Sequence, residues 1–318
     1  MPSLIWTEKY RPSEFTEIKG QDNAIKRIES FVKSGNLPHL LLAGPAGTGK
    51  TTTALVIAKK LYGENWKYNF LELNASDDRG IDVVRSTIKD FARTKALGNY
   101  PYKLILLDEC DSLTKEAQQA LRRTMETFVE SARFLLSCNY SSKIIDPIQS
   151  RCAVFRFRPL SPSQTKEIIV NLAEKEGLTI EDGAMIALHE LCNGDVRKLT
   201  NLLQSCASEN KTITLNTVYE VISAAEPKEI GQILESSVKG DFINSRKLLL
   251  DTMIKHGLSG LDIIRQIQKG IWNLDVKDNA KVDMIEKCGE IEFRMVEGSD
   301  EFVQLEALLA SFSKFGKL

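Results

Sequence analysis

Residues 39–51 read HLLLAGPAGTGKT, and this stretch decides the fold. The apolar run His39–Ala43 leads directly into a glycine-rich loop, and the pattern from Gly44 to Thr51 is GxxxxGK[ST]. This arrangement predicts a phosphate-binding turn between a buried strand and a helix, because glycines let backbone N–H groups wrap phosphates and the helix N-terminus adds positive potential. Lys50 is expected to reach the β- and γ-phosphates, and Thr51 to hold Mg²⁺.

A pair of acidic residues follows another apolar run. Lys103–Asp108 predicts a buried strand that continues into Glu109-Cys110-Asp111. Beside the glycine-rich loop, Asp108 would hold Mg²⁺ through water and Glu109 would polarise the attacking water. Acidic residues at this place could also cap a helix, and Asp111 is the expected cap. The two motifs together indicate an NTPase.

Two further polar residues follow strands of the same region. Asn139 ends the run Ser137-Cys138-Asn139, and ligands of open parallel sheets bind where strands end. It could align a water beside the γ-phosphate, or it could be a turn asparagine. Arg151, within Ser150-Arg151-Cys152, could be a surface arginine or an arginine finger aimed at the nucleotide of a neighbouring subunit. Spacing leaves both alternatives open.

The first half of the chain alternates β-rich runs with helical patterns, which indicates an α/β fold with a mostly parallel sheet. Strands are predicted at His39–Ala43, Asn69–Leu73, Lys103–Asp108, Arg133–Ser137 and Ala153–Phe157. Helices are predicted at Thr52–Leu61, Asp82–Arg93 and Lys115–Phe128. From Ser161, which starts a helix-capping pattern, the signals are helical. Three domains are therefore expected: a P-loop ATPase domain at 1–160, a small helical domain at 161–225 and a longer helical domain at 226–318.

Composition excludes several classes of protein. The 318 residues include 42 Lys and Arg against 43 Asp and Glu, so a globally cationic nucleic-acid binder is excluded, although residues 1–160 carry an excess of positive charge. The longest apolar runs, such as Leu104–Leu107, are far shorter than the roughly 20 residues of a membrane span. The charged N-terminus argues against a secretion signal. Six scattered cysteines without a CxxC pair indicate free thiols in a reducing compartment rather than zinc ligands.

Several stretches carry a more specific resemblance. The chain resembles the small subunits of replication factor C, the clamp loader of archaea and eukaryotes, in the AAA+ ATPase superfamily. The segments that carry the resemblance are Trp6–Pro12, Gly20-Gln21, Asn74–Gly80, Asp108–Asp111, Ser150–Cys152 and Gly194–Lys198. The resemblance runs over the whole chain. It implies an AAA+ P-loop ATPase domain, a helical lid domain with a sensor 2 arginine, and an all-helical collar domain for oligomerisation.

The resemblance also implies roles for individual residues. Asn139 matches sensor 1, Arg197 matches sensor 2, and Arg151 matches the finger supplied in trans. Asn74 matches a regulatory position that can hold the catalytic glutamate inactive until DNA binds. Without the family, plainer readings apply: surface charge for Arg197, an Asx-turn for Asn74 and an ordinary arm for 10–12. The expected ATP-binding residues are Tyr10, Arg11, Pro12, Gly44, Pro45, Ala46, Gly47, Thr48, Gly49, Lys50, Thr51, Thr52, Asn139 and Arg197.

DNA contact is expected on the helix that follows the Asn74 segment. Arg85 and Lys89 are spaced i, i+4 and would track the phosphate backbone without reading sequence. The alternative is a solvated helix face, because Asp82 and Asp90 share the helix.

The activity implied by the resemblance is the opening of a PCNA-type sliding clamp and its loading onto primer–template DNA during replication, driven by ATP with Mg²⁺. The expected partners are other small subunits and the large subunit in a hetero-pentamer-like ring, the clamp, and DNA, with no membrane. The location would be cytoplasmic in an archaeal cell and nuclear in a eukaryote. The alternatives are another AAA+ DNA machine, such as a Holliday-junction branch-migration motor, and a scaffold subunit that binds nucleotide only to assemble.

Overall fold

The computed structural model describes residues 5–76, 81–222 and 227–315, and the chain divides into two compact units, residues 1–212 and 213–318. The helices of the first unit are α1 Trp6–Lys9, α2 Asp22–Lys33, α3 Lys50–Tyr62, α4 Trp66–Asn69, α5 Ile81–Arg93, α6 Lys115–Thr127, α7 Asp146–Gln149, α8 Pro162–Glu176, α9 Asp182–Cys192 and α10 Val196–Glu209. Those of the second are α11 Leu215–Ile222, α12 Pro227–Val238, α13 Phe242–His256, α14 Gly260–Ile271, α15 Asp278–Val296 and α16 Glu301–Phe312.

The first unit is built on a five-stranded parallel sheet. Its strands are β1 His39–Ala43, β2 Phe70–Asn74, β3 Lys103–Asp108, β4 Ala132–Cys138 and β5 Cys152–Arg156. They lie in the order β2-β3-β4-β1-β5, and every neighbouring pair is parallel. The predicted α/β fold with a mostly parallel sheet is thus confirmed. Two further short strands, β6 Thr179–Ile180 and β7 Thr212–Ile213, pair with each other.

Both faces of the sheet are covered, which explains why its strands read as continuous apolar runs. Leu40 and Leu42 of β1 pack toward one face, with α3, whereas Leu41 packs toward the other, with α5 and α6. All three side chains are fully buried. The strong apolar character of residues 39–43 therefore follows from burial on two sides.

The predicted second strand was one residue out of place. Asn69 is the last residue of α4, and β2 begins at Phe70. The fully buried Asn69 amide donates to the Leu97 carbonyl at 2.9 Å and accepts from the Leu97 N–H at 2.7 Å, so a loop about thirty positions away fixes this residue. Period-two patterning contains no information about such a contact.

The helices from α8 onward begin and end with recognisable signals. Ser161 and Gln164 form the expected capping box at the start of α8, with Pro162 in its first turn. The helix ends at Gly177, whose φ of 66° is left-handed. The Asp195 side chain caps α10 by accepting from the Lys198 N–H at 2.9 Å. This cap fixes the start of α10 and therefore the place of Arg197, its second residue.

The second unit is helical over the residues described, with a core formed by α12 to α16. Buried hydroxyls join its helices: Ser237 donates to the Leu309 carbonyl at 2.7 Å, and Ser245 donates to the Ile233 carbonyl at 2.9 Å. Across the described ranges of the whole chain, no helix is long and apolar enough to cross a membrane.

Candidate nucleotide-binding site

The sheet order brings the predicted site residues together. Strand β4 lies between β1 and β3, so Asn139, just after β4, stands between the glycine-rich loop after β1 and Asp108 at the end of β3. A pocket of about 360 Å³ opens at this edge, within the size range of small-molecule sites. Its lining includes Tyr10, Arg11, Pro12, the stretch Ala46–Thr52, Asp108, Glu109, Asn139 and Arg197. Five separate stretches of the sequence thus meet in one cavity.

Lys50 is held at the floor of this pocket. Its side chain is buried, and its ammonium donates to the carbonyls of Gly44 at 2.6 Å and Pro45 at 2.8 Å and to Asn139 Oδ1 at 3.1 Å. Burial lowers the pKa of Lys50, and the nearby Asp108 carboxylate opposes this effect. The predicted phosphate-binding cation and the predicted sensor 1 residue are therefore in direct contact.

Thr51 and Asp108 form the second contact of the site. The Thr51 hydroxyl donates to Asp108 Oδ2 at 2.5 Å, although the two residues are 57 positions apart. A hydroxyl and a carboxylate are oxygen ligands of the kind that Mg²⁺ prefers, either directly or through its water shell. The pair proposed from sequence to hold Mg²⁺ is thus assembled in the fold.

Glu109 stands at the rim with an unusual backbone. Its φ of 52° and ψ of 35° place it in the left-handed region, one of two such non-glycine residues among those described. Non-glycine residues in this region carry strain that is often found at functional sites. The side chain is exposed and makes no hydrogen bond or ion pair with a described residue. The carboxylate is therefore available to a water.

The expected helix cap at Asp111 was wrong. Thr114 caps α6, because its hydroxyl accepts from the Ala117 N–H at 3.2 Å. Asp111 lies in a short 3-10 turn, and its carboxylate accepts from the Tyr140 N–H at 3.1 Å, 29 positions away. The 3-10 turn moves the start of α6 downstream, so Asp111 is too early in the chain to cap it. The Asp111 carboxylate instead holds the backbone of Tyr140, the residue after Asn139.

The start of α10 closes against the glycine-rich loop. The Val196 N–H donates to the Gly47 carbonyl at 3.1 Å. A Cβ placed on Gly47 would lie 1.8 Å from Asp195 Oδ1, so glycine is required there by space as well as by its φ of 68°. Arg197, two residues after Asp195, is exposed and lines the pocket, and its sensor 2 role stays a prediction.

The N-terminal arm forms another wall. Tyr10 donates a short hydrogen bond to Glu176 at the end of α8, and Lys9 pairs with the same carboxylate at 2.6 Å. Hydrogen bonds from Lys9 and Tyr10 lower the pKa of Glu176. The Trp6 side chain is buried, and the Trp6 backbone N–H donates to Gln204 Oε1 of α10 at 2.9 Å. The arm is thus attached to the helices that follow the sheet.

Arg151 lies outside this pocket. Its guanidinium pairs with Glu126 of α6 at 2.6 Å and donates to the Pro147 carbonyl at 2.7 Å. Arg151 is partly exposed and does not line the pocket of its own chain. Its contact with the nucleotide of a neighbouring subunit stays a prediction.

Three other predicted residues, the regulatory asparagine and the two DNA-contact residues, are not among the described residues that line the pocket. Asn74 forms an Asx-turn, in which its Oδ1 accepts from the Ser76 N–H at 3.0 Å and hydroxyl at 2.9 Å. No hydrogen bond joins Asn74 to Glu109 within the described residues. Lys89 is exposed on α5, whereas the side chain of Arg85 lies outside the described part of the structure.

Comparisons with known proteins agree with this geometry. The model of the AAA family, described as the ATPase family associated with various cellular activities, matches residues 40–160, and that of the replication factor C C-terminal domain matches residues 225–311. The replication factor C small subunit of Archaeoglobus fulgidus is 48% identical over 313 residues, which cover 98% of each chain. That of Methanocella arvoryzae is 51% identical over 312 residues, covering 98% of this chain and 97% of the relative. This chain belongs to the replication factor C small subunit family.

Solved structures give the fold alone. The RuvB Holliday junction branch migration motor of Thermotoga maritima matches with a TM-score of 0.56 at 21% sequence identity, covering 77% of this chain and 88% of that chain. The AAA ATPase architecture is therefore shared more widely than the replication factor C family.

Several residues around the pocket and around Arg151 could not be predicted from the sequence. Ile18 and Ile168 line the pocket, and their signal was only that of ordinary apolar core positions. Glu176 and Glu126 hold Tyr10 and Arg151, but neither has a sequence signature, since each lies on an otherwise polar helix surface. Asp195 could have been found, because an aspartate just before a helix is a capping signal.

The residues present fit a nucleoside triphosphate with Mg²⁺. Lys50 is a buried cation that opens onto the pocket, and the loop before it needs left-handed glycines at 47 and 49. The buried Ser137 hydroxyl also lines the pocket and has no hydrogen-bond partner among the described residues. Lys50, Asn139 and the α3 N-terminus would hold phosphates, while Thr51 and Asp108 would hold the metal.

Proposed function

We propose that this chain is an ATPase subunit of a clamp loader, in which ATP binding and hydrolysis drive the opening of a PCNA-type sliding clamp and its loading onto primer–template DNA during replication. The observation that supports this most is the convergence of Lys50, Asn139, Thr51 and Asp108 in one pocket with Glu109 at its rim. The family to which the chain belongs supports the assignment to clamp loading.

Each side chain has a defined task in hydrolysis. Lys50 stabilises phosphate charge, and Asn139 holds Lys50 in place and helps to align the attacking water. Glu109 orients and polarises that water from the rim. Thr51 and Asp108 would hold Mg²⁺, which would supply positive charge to neutralise the phosphates. Arg197 adds positive charge from the lid, and Arg151 serves the pocket of a neighbouring subunit.

The switch between states depends on two proposed links. Asn74 would restrain Glu109 until DNA binds; its Asx-turn places the amide at the end of β2, where Asn74 is in register with Asp108 of β3. Lys89, with Arg85, would meet DNA phosphates from α5 without sequence preference, and these contacts would be weakened by salt. The partners would be other small subunits, the large subunit and the clamp. A cytoplasmic location, or a nuclear one in a eukaryote, is part of this proposal.

The decisive experiment measures ATP turnover by the reconstituted assembly, with and without clamp and primed DNA. Clamp plus primed DNA should raise turnover, whereas blunt duplex of equal length should raise it less. A rate that ignores both additions would overturn the clamp-loading proposal.

The same assay separates the alternatives. Processive movement along duplex would support a branch-migration motor, and nucleotide binding without turnover would support a scaffold. Intact Glu109 and Asn139 argue against a scaffold, because a subunit that only binds nucleotide has no need of a water-aligning pair.

A further inference from the structure

Arg151 is held on two sides. One terminal nitrogen, Nη2, lies 2.6 Å from Glu126 Oε1, and the other, Nη1, donates to the Pro147 carbonyl at 2.7 Å. Pro147 belongs to α7, which ends just before Arg151, whereas Glu126 lies in the last turn of α6. The backbone near Arg151 thus fixes one side of the guanidinium, and a side chain from a different helix fixes the other.

The same carboxylate oxygen also faces a second arginine. Arg122 Nε lies 3.3 Å from Glu126 Oε1, one helical turn earlier on α6. Arg122 Nε is buried and makes no hydrogen bond within the described residues, so this ion pair is the contact that compensates it. Glu126 therefore holds two guanidinium groups close together that would otherwise repel each other.

Hydrogen bonds of one buried side chain join α6 to the segment before α7. The buried Gln118 amide on α6 donates to the carbonyls of Leu113 at 3.1 Å and Lys143 at 3.0 Å and accepts from the Ile145 N–H at 2.9 Å. These contacts tie α6 to the segment that enters α7. The two helices next to Glu126 and Arg151 are thus joined near their starts, independently of the contact between these two side chains.

Stability does not explain the ion pair. The side chains of Arg151 and Glu126 are each 39% exposed, and exposed ion pairs contribute about 0–1 kcal/mol to folding. An arginine carries five N–H donors in a planar fork, so two anchored nitrogens still leave donors for phosphate oxygens. The contact therefore restricts the orientation of Arg151 while leaving it able to bind an anion.

We propose that Glu126 is the positioning residue of the arginine finger: its carboxylate holds the Arg151 guanidinium, beside Arg122, in the orientation that meets the nucleotide of the neighbouring subunit. This inference rests on the proposed function, since it needs Arg151 to act in trans. Glu126 acts through Arg151 and does not itself contact nucleotide.

The test is steady-state ATP hydrolysis by the reconstituted assembly carrying Glu126→Gln, which keeps the shape of the side chain and removes its charge. We expect kcat to fall about tenfold with KM for ATP changed less than about twofold, because misplacing a group used in the transition state lowers kcat without weakening substrate binding. Arg151→Ala should lower kcat by about a thousandfold. In the Arg151→Ala background, Glu126→Gln should have no further effect.

A matched control is Glu29→Gln on α2. Glu29 forms an exposed ion pair with Lys33 at 2.9 Å, and its exposure of 36% is close to that of Glu126. It should leave kcat unchanged. The melting temperature and the size of the assembly are measured for every variant, so that a folding defect in Glu126→Gln is recognised. Glu126→Asp, which keeps the charge, is the second variant. Its kcat should lie between that of Glu126→Gln and that of the parent chain.

The possible outcomes separate the inference from the proposed function. If Arg151→Ala lowers kcat and Glu126→Gln does not, the positioning role is overturned and the finger stands. If Glu126→Gln lowers kcat equally with or without Arg151, Glu126 acts by another route and the inference is again overturned. If Arg151→Ala itself has no effect in the assembly, the trans role fails, and the inference fails with it.

Discussion

The ammonium of Lys50 lies 3.1 Å from the amide oxygen of Asn139, although 89 positions separate the two residues. The contact joins the loop after β1 to the end of β4. It also completes a three-acceptor shell, since the carbonyls of Gly44 and Pro45 accept from the same nitrogen. An incoming phosphate would therefore replace acceptors around a cation that is already in position, which reduces the reorganisation that binding requires.

Substitutions of these two residues should have different kinetic effects. Lys50→Ala removes the cation and should raise the dissociation constant for ATP at least about a hundredfold, equal to roughly 2.7 kcal/mol. Asn139→Ala should change that constant by less than about threefold and lower kcat by about 10–100-fold, because the aligned acceptor matters most in the transition state. Fluorescent-nucleotide titration and turnover assays measure the two quantities. Equal losses of affinity in both variants would contradict the division of roles.

The Thr51–Asp108 hydrogen bond predicts a metal phenotype. Thr51→Val keeps the shape of the side chain and removes its hydroxyl, whereas Thr51→Ser keeps the hydroxyl. We expect the valine variant to need about 10–100-fold more Mg²⁺ for half-maximal ATP hydrolysis, in line with the loss of an oxygen ligand and its supporting contact. The serine variant should need no more than about threefold extra. A Mg²⁺ titration in which both variants match the parent chain would refute the metal role of Thr51.

Two glycines provide a test and a matched control for the packing of α10 against the glycine-rich loop. Gly47 and Gly35 both have a φ of 68°, but a Cβ on Gly47 would strike Asp195, whereas a Cβ on Gly35 has no atom within 4 Å. Alanine in a left-handed conformation costs roughly 1–2 kcal/mol, so both variants should lose a similar amount of stability from strain.

Nucleotide binding should separate the two alanine variants. Gly47→Ala should also weaken ATP binding at least about tenfold, because the loop or Asp195 must move. Gly35→Ala should bind ATP as the parent chain does. Urea unfolding reports the strain, and equilibrium titration with ATP reports the site. Equal binding by both variants would show that the loop accommodates the added methyl group without moving.

The sequence predicted those parts of the fold that local chemistry determines. Apolar runs covered on both sides identified β1 and β3, and Gly49-Lys50-Thr51 identified the phosphate loop, because such signals lie within a few consecutive residues. Contacts made across the fold could not be predicted in this way. Asp111 bonds to the Tyr140 N–H instead of capping a helix, and Glu126 holds Arg151, because these partners meet only after the sheet order is established.

His39 gives the chain a sensitivity to acid that does not involve the nucleotide site. The ring is buried in β1, and its Nδ1 accepts from the Phe134 N–H at 3.0 Å, which requires the neutral form. Burial, with a smaller effect of Arg133, lowers the pKa of His39 from 6.5 to about 4. A histidine whose pKa is lower in the folded state binds fewer protons when folded. Its contribution to stability is therefore complete above about pH 6.5 and is lost as the pH falls toward 4.

The loss should reach about 2 kcal/mol at pH 5, from the two pKa values and the linkage relation. His39→Gln provides the comparison, because glutamine can accept the same backbone hydrogen bond but does not titrate. Urea unfolding of both proteins at pH 7.5 and pH 5 isolates the histidine from the carboxylates that they share. The parent chain should lose about 2 kcal/mol more than the variant between these pH values. Equal losses of stability in the parent chain and in the variant would contradict the prediction, because they would mean that the folded chain takes up a proton at His39 without cost.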